Sequence, residues 1–212
     1  KMGPDGAIYI ADWYNPIIQH GEVDFRDERR DHIHGRIWRV SAKKRPLVKR
    51  QDVVKSSNKD LFAALSSQEE WIRLHAKLQL KQRSSAEVKQ ELRAWLNGLD
   101  PNDSNYWNDR LEALWVYQCL NVIDTPYVGE LLQSSDHRVR AAAMRVVSQW
   151  IEDYRLGTGV PTRASEEGIL RDFLRAGVRD SHPRVRLEAT RGWARIKKPG
   201  SAQEALEILE QP

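Results

Sequence analysis

Two hydrophobic periods divide the chain. At the front, AIYIADWY (Ala7–Tyr14) sets β-branched and aromatic residues against small or polar ones, the alternation of a half-buried strand. Pro4-Asp5-Gly6 ahead of it is turn chemistry, and Asn15-Pro16 breaks it. A polar stretch follows, RDERRDHIH (Arg26–His34), and GRIWRV (Gly35–Val40) predicts a second strand with Ile37 and Trp38 as its bulky members. The two strands are expected to pair antiparallel and to lean on the first helices. Two strands alone are marginal in water, so they need covering by further strands or by the rest of the chain.

From about Asn58 the period becomes helical, and an internal repeat emerges. RLHA (Arg73–Ala76), RLEA (Arg110–Ala113), RAAA (Arg140–Ala143) and RLEA (Arg186–Ala189) share Arg-x-x-Ala, each followed by an apolar helical run. Their starts are 37, 30 and 46 residues apart, a spacing that belongs to stacked helical hairpins. A shorter apolar segment precedes each: KDLFAALSS, AEVKQELRAWLNGL, PYVGELLQSS and GILRDFLRAGV. Each tetrad is therefore expected on the second helix of a pair. The alanines Ala76, Ala113, Ala143 and Ala189 would let a neighbouring helix approach closely. The arginines Arg73, Arg110, Arg140 and Arg186 would lie along the helix with their heads in water or on a neighbour's carboxylate. Before two tetrads, SSDHRVR and RDSHPRVR place Asp and Ser where they can cap a helix, and Pro183 suits a first turn. No single hairpin can bury its apolar side, so neighbours must stack.

The fold expected is mainly α: a solenoid of about four helical hairpins preceded by a short antiparallel β segment. Residues 1–45 form that segment, 46–57 a basic linker, and 58–212 the helical body. Charge sharpens the division. Residues 1–55 carry twelve Lys/Arg against eight Asp/Glu, and residues 56–212 carry 22 of each. The excess behind the pI of about 9.2 lies in RVSAKKRPLVKRQDVVK, as a solvated linker would have it, which argues against a nucleic-acid-binding face. No apolar run is long enough to span a bilayer, and the first residues lack the pattern of a secretory leader.

Candidate chemistry is sparse. Cys119, the single cysteine, lies in the apolar run RLEALWVYQCLNV and is expected to be buried and inert; a Cys-based zinc site and a covalent haem are excluded within this chain. The richest constellation is His20, Asp24, Asp27, Asp31, His32 and His34, with Asp12 nearby in the first strand. His32 and His34, one residue apart, would point the same way on a strand and could share a metal such as zinc or calcium with Asp31 and His20. The competing readings are a loop tied by its own hydrogen bonds and ion pairs to Arg26, Arg29, Arg30 and Arg36, and a cofactor contact completed by a larger β structure. His137 and His182 precede matching Arg-Val-Arg runs and are expected as helix-start residues; His75 is packed or surface-facing. Of eight tryptophans those on helices are expected in the core, while Tyr106 and Trp107, in the polar stretch NDSNYWNDR, are candidates for a partner contact.

DHRVRAAAMRVV and HPRVRLEATRGW resemble HEAT or armadillo-like repeats. GPDGAIYIADWYNPIIQHGEVDFRDERRDHIHGRIWRV resembles the closing propeller blade of planctomycete-type membrane-bound dehydrogenase, or haem-binding, proteins, which are similar to glucose/sorbosone dehydrogenases in their propeller and continue into HEAT-like repeats. The resemblance implies a piece of a larger envelope or periplasmic protein, with quinone or haem c chemistry carried by the parent polypeptide and no catalytic residue or cofactor in this chain. A propeller needs several blades, and only one is represented here. Three functions follow as expectations: a non-catalytic scaffold that holds a protein partner or neighbouring domains of the same polypeptide; part of a sugar oxidoreductase whose active site lies elsewhere; or a nucleic-acid-binding helical-repeat protein.

Overall fold

The computed structural model describes residues 1–14, 17, 23–24, 26–49, 51–156, 164–196 and 199–210, the side chains of 153–156, 164 and 165 aside. It is mainly helical, with one two-stranded antiparallel sheet at the front. Strands β1 (Ile8–Trp13) and β2 (Gly35–Val40) pair in the register Ile8 to Val40, Ile10 to Trp38 and Trp13 to Gly35. The alternation that predicted these strands is present, but neither face is covered. Ile10 and Trp38, directly opposite on one face, are 48% and 51% exposed, and Ile37 on the other face is 74% exposed. The sheet is tied to its own downstream connection: Val48 N–H donates to Asp5 O at 3.0 Å, and Val48 packs over Gly6, whose positive φ of 74° turns the chain into β1. Arg39 ties the sheet to the same turn through Asp5 at 2.6 Å. Within the segment expected as a linker, Val53 is buried in the helical core.

Nine helices follow among the described residues. They are α1 (Asn58–Leu65), α2 (Glu70–Leu80), α3 (Ser85–Asn97), α4 (Tyr106–Cys119), α5 (Thr125–Leu132), α6 (His137–Leu156), α7 (Ala164–Gly177), α8 (Pro183–Arg195) and α9 (Ser201–Leu206), closed by a 3₁₀ turn at Glu207–Glu210. Their starts are chemically marked. Ser57 and Asp60 form a reciprocal capping box on α1, and Asp124 caps α5, which has Pro126 in its first turn. Asp136 accepts from Arg138 N at the start of α6. At α8 the cap is His182, with Pro183 at the first helical position, while Asp180, two residues before the cap, accepts from His182 N.

The tetrads fall on α2, α4, α6 and α8, each the second member of a pair with α1, α3, α5 and α7. The even helices pack in chain order, α2 on α4, α4 on α6, α6 on α8; in the outer set α1 packs on α3 and α5 on α7, whereas α3 and α5 make at most a marginal contact. All four tetrad alanines, Ala76, Ala113, Ala143 and Ala189, are fully buried. One of them, Ala189, sits at a tight helix contact. A Cβ on Gly177 would lie 2.8 Å from the Ala189 Cβ and 2.5 Å from Met144 Cε, so α6, α7 and α8 meet there with no room to spare. A continuous apolar core runs from Val53 to Ile196. Trp150 and Trp193 lie inside it; Trp71, Trp95, Trp107 and Trp115 pack half-buried against it; Trp13 and Trp38, on the strands, are exposed.

Overpacking this seam is expected to be costly. Ala189→Leu should lower unfolding free energy in urea by about 1–3 kcal/mol or more, whereas Leu187→Ala, two residues away and 53% exposed, should stay within about 0.5 kcal/mol. Equal effects of the two substitutions would contradict the seam.

Candidate functional site

The polar loop before β2 is knitted together internally. Arg30, buried, donates from Nε to Asp24 O at 2.8 Å and from Nη2 to Val23 O at 2.7 Å, so it takes up carbonyls that the loop would otherwise leave unmet. Asp24 Oδ1 accepts from Arg26 N, and Asp27 pairs with Arg29, which holds the Asp27 carboxyl well below the usual range. Asp31 accepts from the backbone of Ile33 and His34 and from His34 Nδ1 at 2.9 Å, and these bonds lower its pKa to about 2. Residues 31–34 form a bend that ends before β2 begins, so the strand geometry expected to align His32 with His34 does not apply to them. His34 turns back onto Asp31 and meets Tyr14 edge-on at 6.4 Å, and His32 is exposed. Asp12 instead accepts from Trp38 Nε1 at 3.0 Å and lies 3.4 Å from Arg36. His20 lies outside the described residues. Among the described residues no three His, Cys, Asp or Glu side chains are placed to share a metal ion.

The tetrads carry a more regular arrangement. Arg73, Arg140 and Arg186 each turn back across the turn that leads into their own helix and donate to the carbonyl six residues earlier. The distances are 2.7 Å to Ser67 O, 2.8 Å to Ser134 O and 3.0 Å to Asp180 O. Those carbonyls follow the end of the preceding helix, where helical partners run out. Two of these arginines also reach a carboxylate about forty residues on. Arg73 Nε meets Glu112 at 3.0 Å, and Arg140 grips Asp180 with two nitrogens at 2.8 Å each. A single guanidinium thus clips a turn closed and fastens it to the next helix pair.

Sequence reasoning missed the matching acids. Glu112 and Glu188 occupy the third position of the two RLEA tetrads and are both buried. Glu112 takes Arg73 and Lys77 from α2, and Glu188 takes Arg145 from α6 at 3.0 Å. The repeated Leu-Glu between Arg and Ala was the available signal. Tyr106 and Trp107, expected as an exposed contact, are half-buried; Trp107 packs on the core and Tyr106 accepts from Arg110. His75 stacks on Trp71 at 3.7 Å. Cys119 is half-buried, and burial raises its thiol pKa.

His137 and His182 are brought face to face, their rings 3.6 Å apart and within 12° of parallel. Because the two helix pairs stack in register, residues 45 positions apart become neighbours, and the pairing was invisible in one dimension. His182 Nδ1 accepts from Arg184 N, which fixes the neutral ring as an N-cap. Burial lowers the His182 pKa, the charge of His137 pushes the same way with Arg140 and Arg184, and Asp180 opposes them.

Residues 1–44 match the family described as a domain of unknown function (DUF7133), which covers the sheet, its charged loop and the first connecting residues. No curated protein and no solved structure matches the chain.

Two outcomes test this arrangement. Arg140→Ala should cost about 2–3 kcal/mol in chemical denaturation, because it leaves half-buried Asp180 and two turn carbonyls without their donor. Arg138→Ala removes a pair whose arginine is 73% exposed and should cost less than about 1 kcal/mol. For the histidine pair, the folded state prefers neutral His182, so its contribution is complete above the ordinary value of 6.5 and is lost as pH falls through the depressed folded value. His182→Asn, which retains a capping acceptor, should flatten the acid side of the stability–pH curve below pH 6.5; an unchanged slope would refute the coupling.

Proposed function

We propose that the chain is a non-catalytic helical-repeat scaffold belonging to a larger, envelope-associated dehydrogenase-like protein. In this reading residues 1–45 are part of a closing propeller blade, residues 46–57 connect it, and residues 58–212 form a HEAT-like solenoid that holds a partner protein or neighbouring domains of the same polypeptide. The observation that carries it is the sheet. Two paired strands present Ile8, Ile10, Trp38 and Val40 on one face and Ile37 on the other, all exposed. Apolar surface of that kind on both sides of a two-stranded sheet asks for more β structure against it.

The solenoid reading is supported by the four buried tetrad alanines, by the even helices packing in chain order, and by the recurring arginine clip. Each helix pair is fastened mainly to its neighbours, as expected where a hairpin cannot bury its apolar side alone. Oxidoreductase chemistry, with quinone or haem c, would belong to the rest of the parent protein. A nucleic-acid surface is the weaker alternative, since residues 56–212 hold 22 cations against 22 acids.

Dye-linked oxidation of sugars, with quinone added, is the direct test. The 212-residue chain should show no turnover, while the parent protein carrying the remaining blades should be active. Turnover by the 212 residues alone would overturn the scaffold reading.

A further inference from the structure

The second residue of each tetrad and the residue four places on share the side of the helix turned away from the buried alanine. In α2 and α4 these are Leu74, Leu78, Leu111 and Trp115; in α6 and α8 they are Ala141, Arg145, Leu187 and Arg191. The side of a helix opposite the core is ordinarily polar. Here Leu74 is 47% and Leu78 42% exposed, Leu187 is exposed as well, and Leu111 and Trp115 are half-buried. Because the even helices pack in chain order, these side chains form one band across their layer, apolar over α2 and α4 and basic over α6 and α8. Contacts between neighbours run along it: Lys77 Nζ of α2 lies 5.3 Å from the centre of the Trp115 ring, and Arg145 of α6 reaches Glu188 of α8 at 3.0 Å.

The basic half is incompletely neutralised. Glu188 is shared by Arg145 and Arg191, whose side chains are 67% and 48% exposed. Arg138 pairs with Asp136 and Arg195 with Glu152. Arg184, exposed one turn before Leu187, makes no side-chain hydrogen bond or ion pair among the described residues. Five guanidiniums thus meet three carboxylates, which leaves two positive charges on this half. Ion pairs as exposed as these exchange partners at little cost.

An occupant that complements both halves carries apolar side chains at one end and carboxylates at the other. The chain displays that mode at its own end, where α9 and the closing 3₁₀ turn pair Glu204 with Arg175 and Glu207 with Arg179 while α9 packs on α8. Length sets the form of the occupant. Packed helices lie about 10 Å apart, so the band across four of them is about 30 Å long, which a helix of about 20 residues spans.

We propose that the outer side of α2, α4, α6 and α8 is a docking surface for an acidic amphipathic helix of a partner protein. Its apolar end rests on Leu74, Leu78, Leu111 and Trp115, and its carboxylates meet Arg145, Arg184 and Arg191. This surface deepens the scaffold reading, on which it rests, by giving the partner's chemistry. A failure to bind peptide defeats the surface alone, whereas sugar oxidation by the chain defeats the scaffold.

Fluorescence anisotropy of synthetic helical peptides about 20 residues long, titrated with the full 212-residue chain, tests the surface. One peptide carries leucines on its first half and glutamates on its second, another exchanges the halves, and a control replaces every glutamate by lysine. Saturable binding of one glutamate peptide is expected, with the lysine control at least about tenfold weaker. Leu78→Ser and Arg184→Glu change exposed side chains and should melt like the parent chain. Each should weaken binding of the glutamate peptide severalfold, and added salt should shrink the effect of Arg184→Glu. No saturable binding of either glutamate peptide would overturn the proposal, as would equal binding of the lysine control or an affinity unchanged in either variant. Tighter binding to phosphatidylglycerol vesicles, or self-association of the chain that Leu78→Ser abolishes, would overturn it in favour of those occupants.

Discussion

Close approach of helices at small buried residues governs the rest of this structure: Ala189 of α8 meets Gly177 of α7, and Gly192 of α8 meets Ser148 of α6. The alanine at the tetrad's fourth position is fully buried in all four helices, and in three of them the arginine three residues earlier lies beside the turn that feeds the helix. In that position it meets two needs together: the carbonyls that a helix end leaves unmet, and a carboxylate delivered by the following pair.

The same register explains features that look unrelated along the chain. Glu112 and Glu188 are buried carboxylates, which would be expensive alone, but each is met by basic side chains from the neighbouring even helix. His137 and His182 stack because equivalent helix starts are laid one over the other. Arg110 shows what happens when the pattern relaxes. It has the tetrad's sequence, but its guanidinium turns toward α5 and an aromatic cluster, at the place where α3 and α5 separate and a cavity opens.

The sheet obeys a different balance. Its strands have the right alternation and good register, yet their apolar side chains remain in water, and a short connection through Val48 and Arg39 is what positions them. Local propensity is enough to pair two strands when a turn and an ion pair tether them; it is not enough to bury them. The family match covers the sheet and its loop and ends at residue 44, before the connection that leads into α1 at Asn58.

Strands at AIYIADWY and GRIWRV, the helical body from Asn58, the position of each tetrad on a second helix, and Pro183 opening α8 were all legible in one dimension, because period, turn residues and caps act over a few neighbouring residues. The histidine loop was legible only as competing alternatives, and its fold into a bend rather than a strand goes with Asp31 capturing Ile33 and His34. What the tertiary structure alone decided were the pairings between residues 31 to 45 positions apart: Arg73 with Glu112, Arg140 with Asp180, His137 with His182, and Arg93 with Asp124. Sequence spacing says which face of a helix a side chain occupies. Which neighbour that face meets is set by how closely the helices pack, and that depends on every small residue along the seam together.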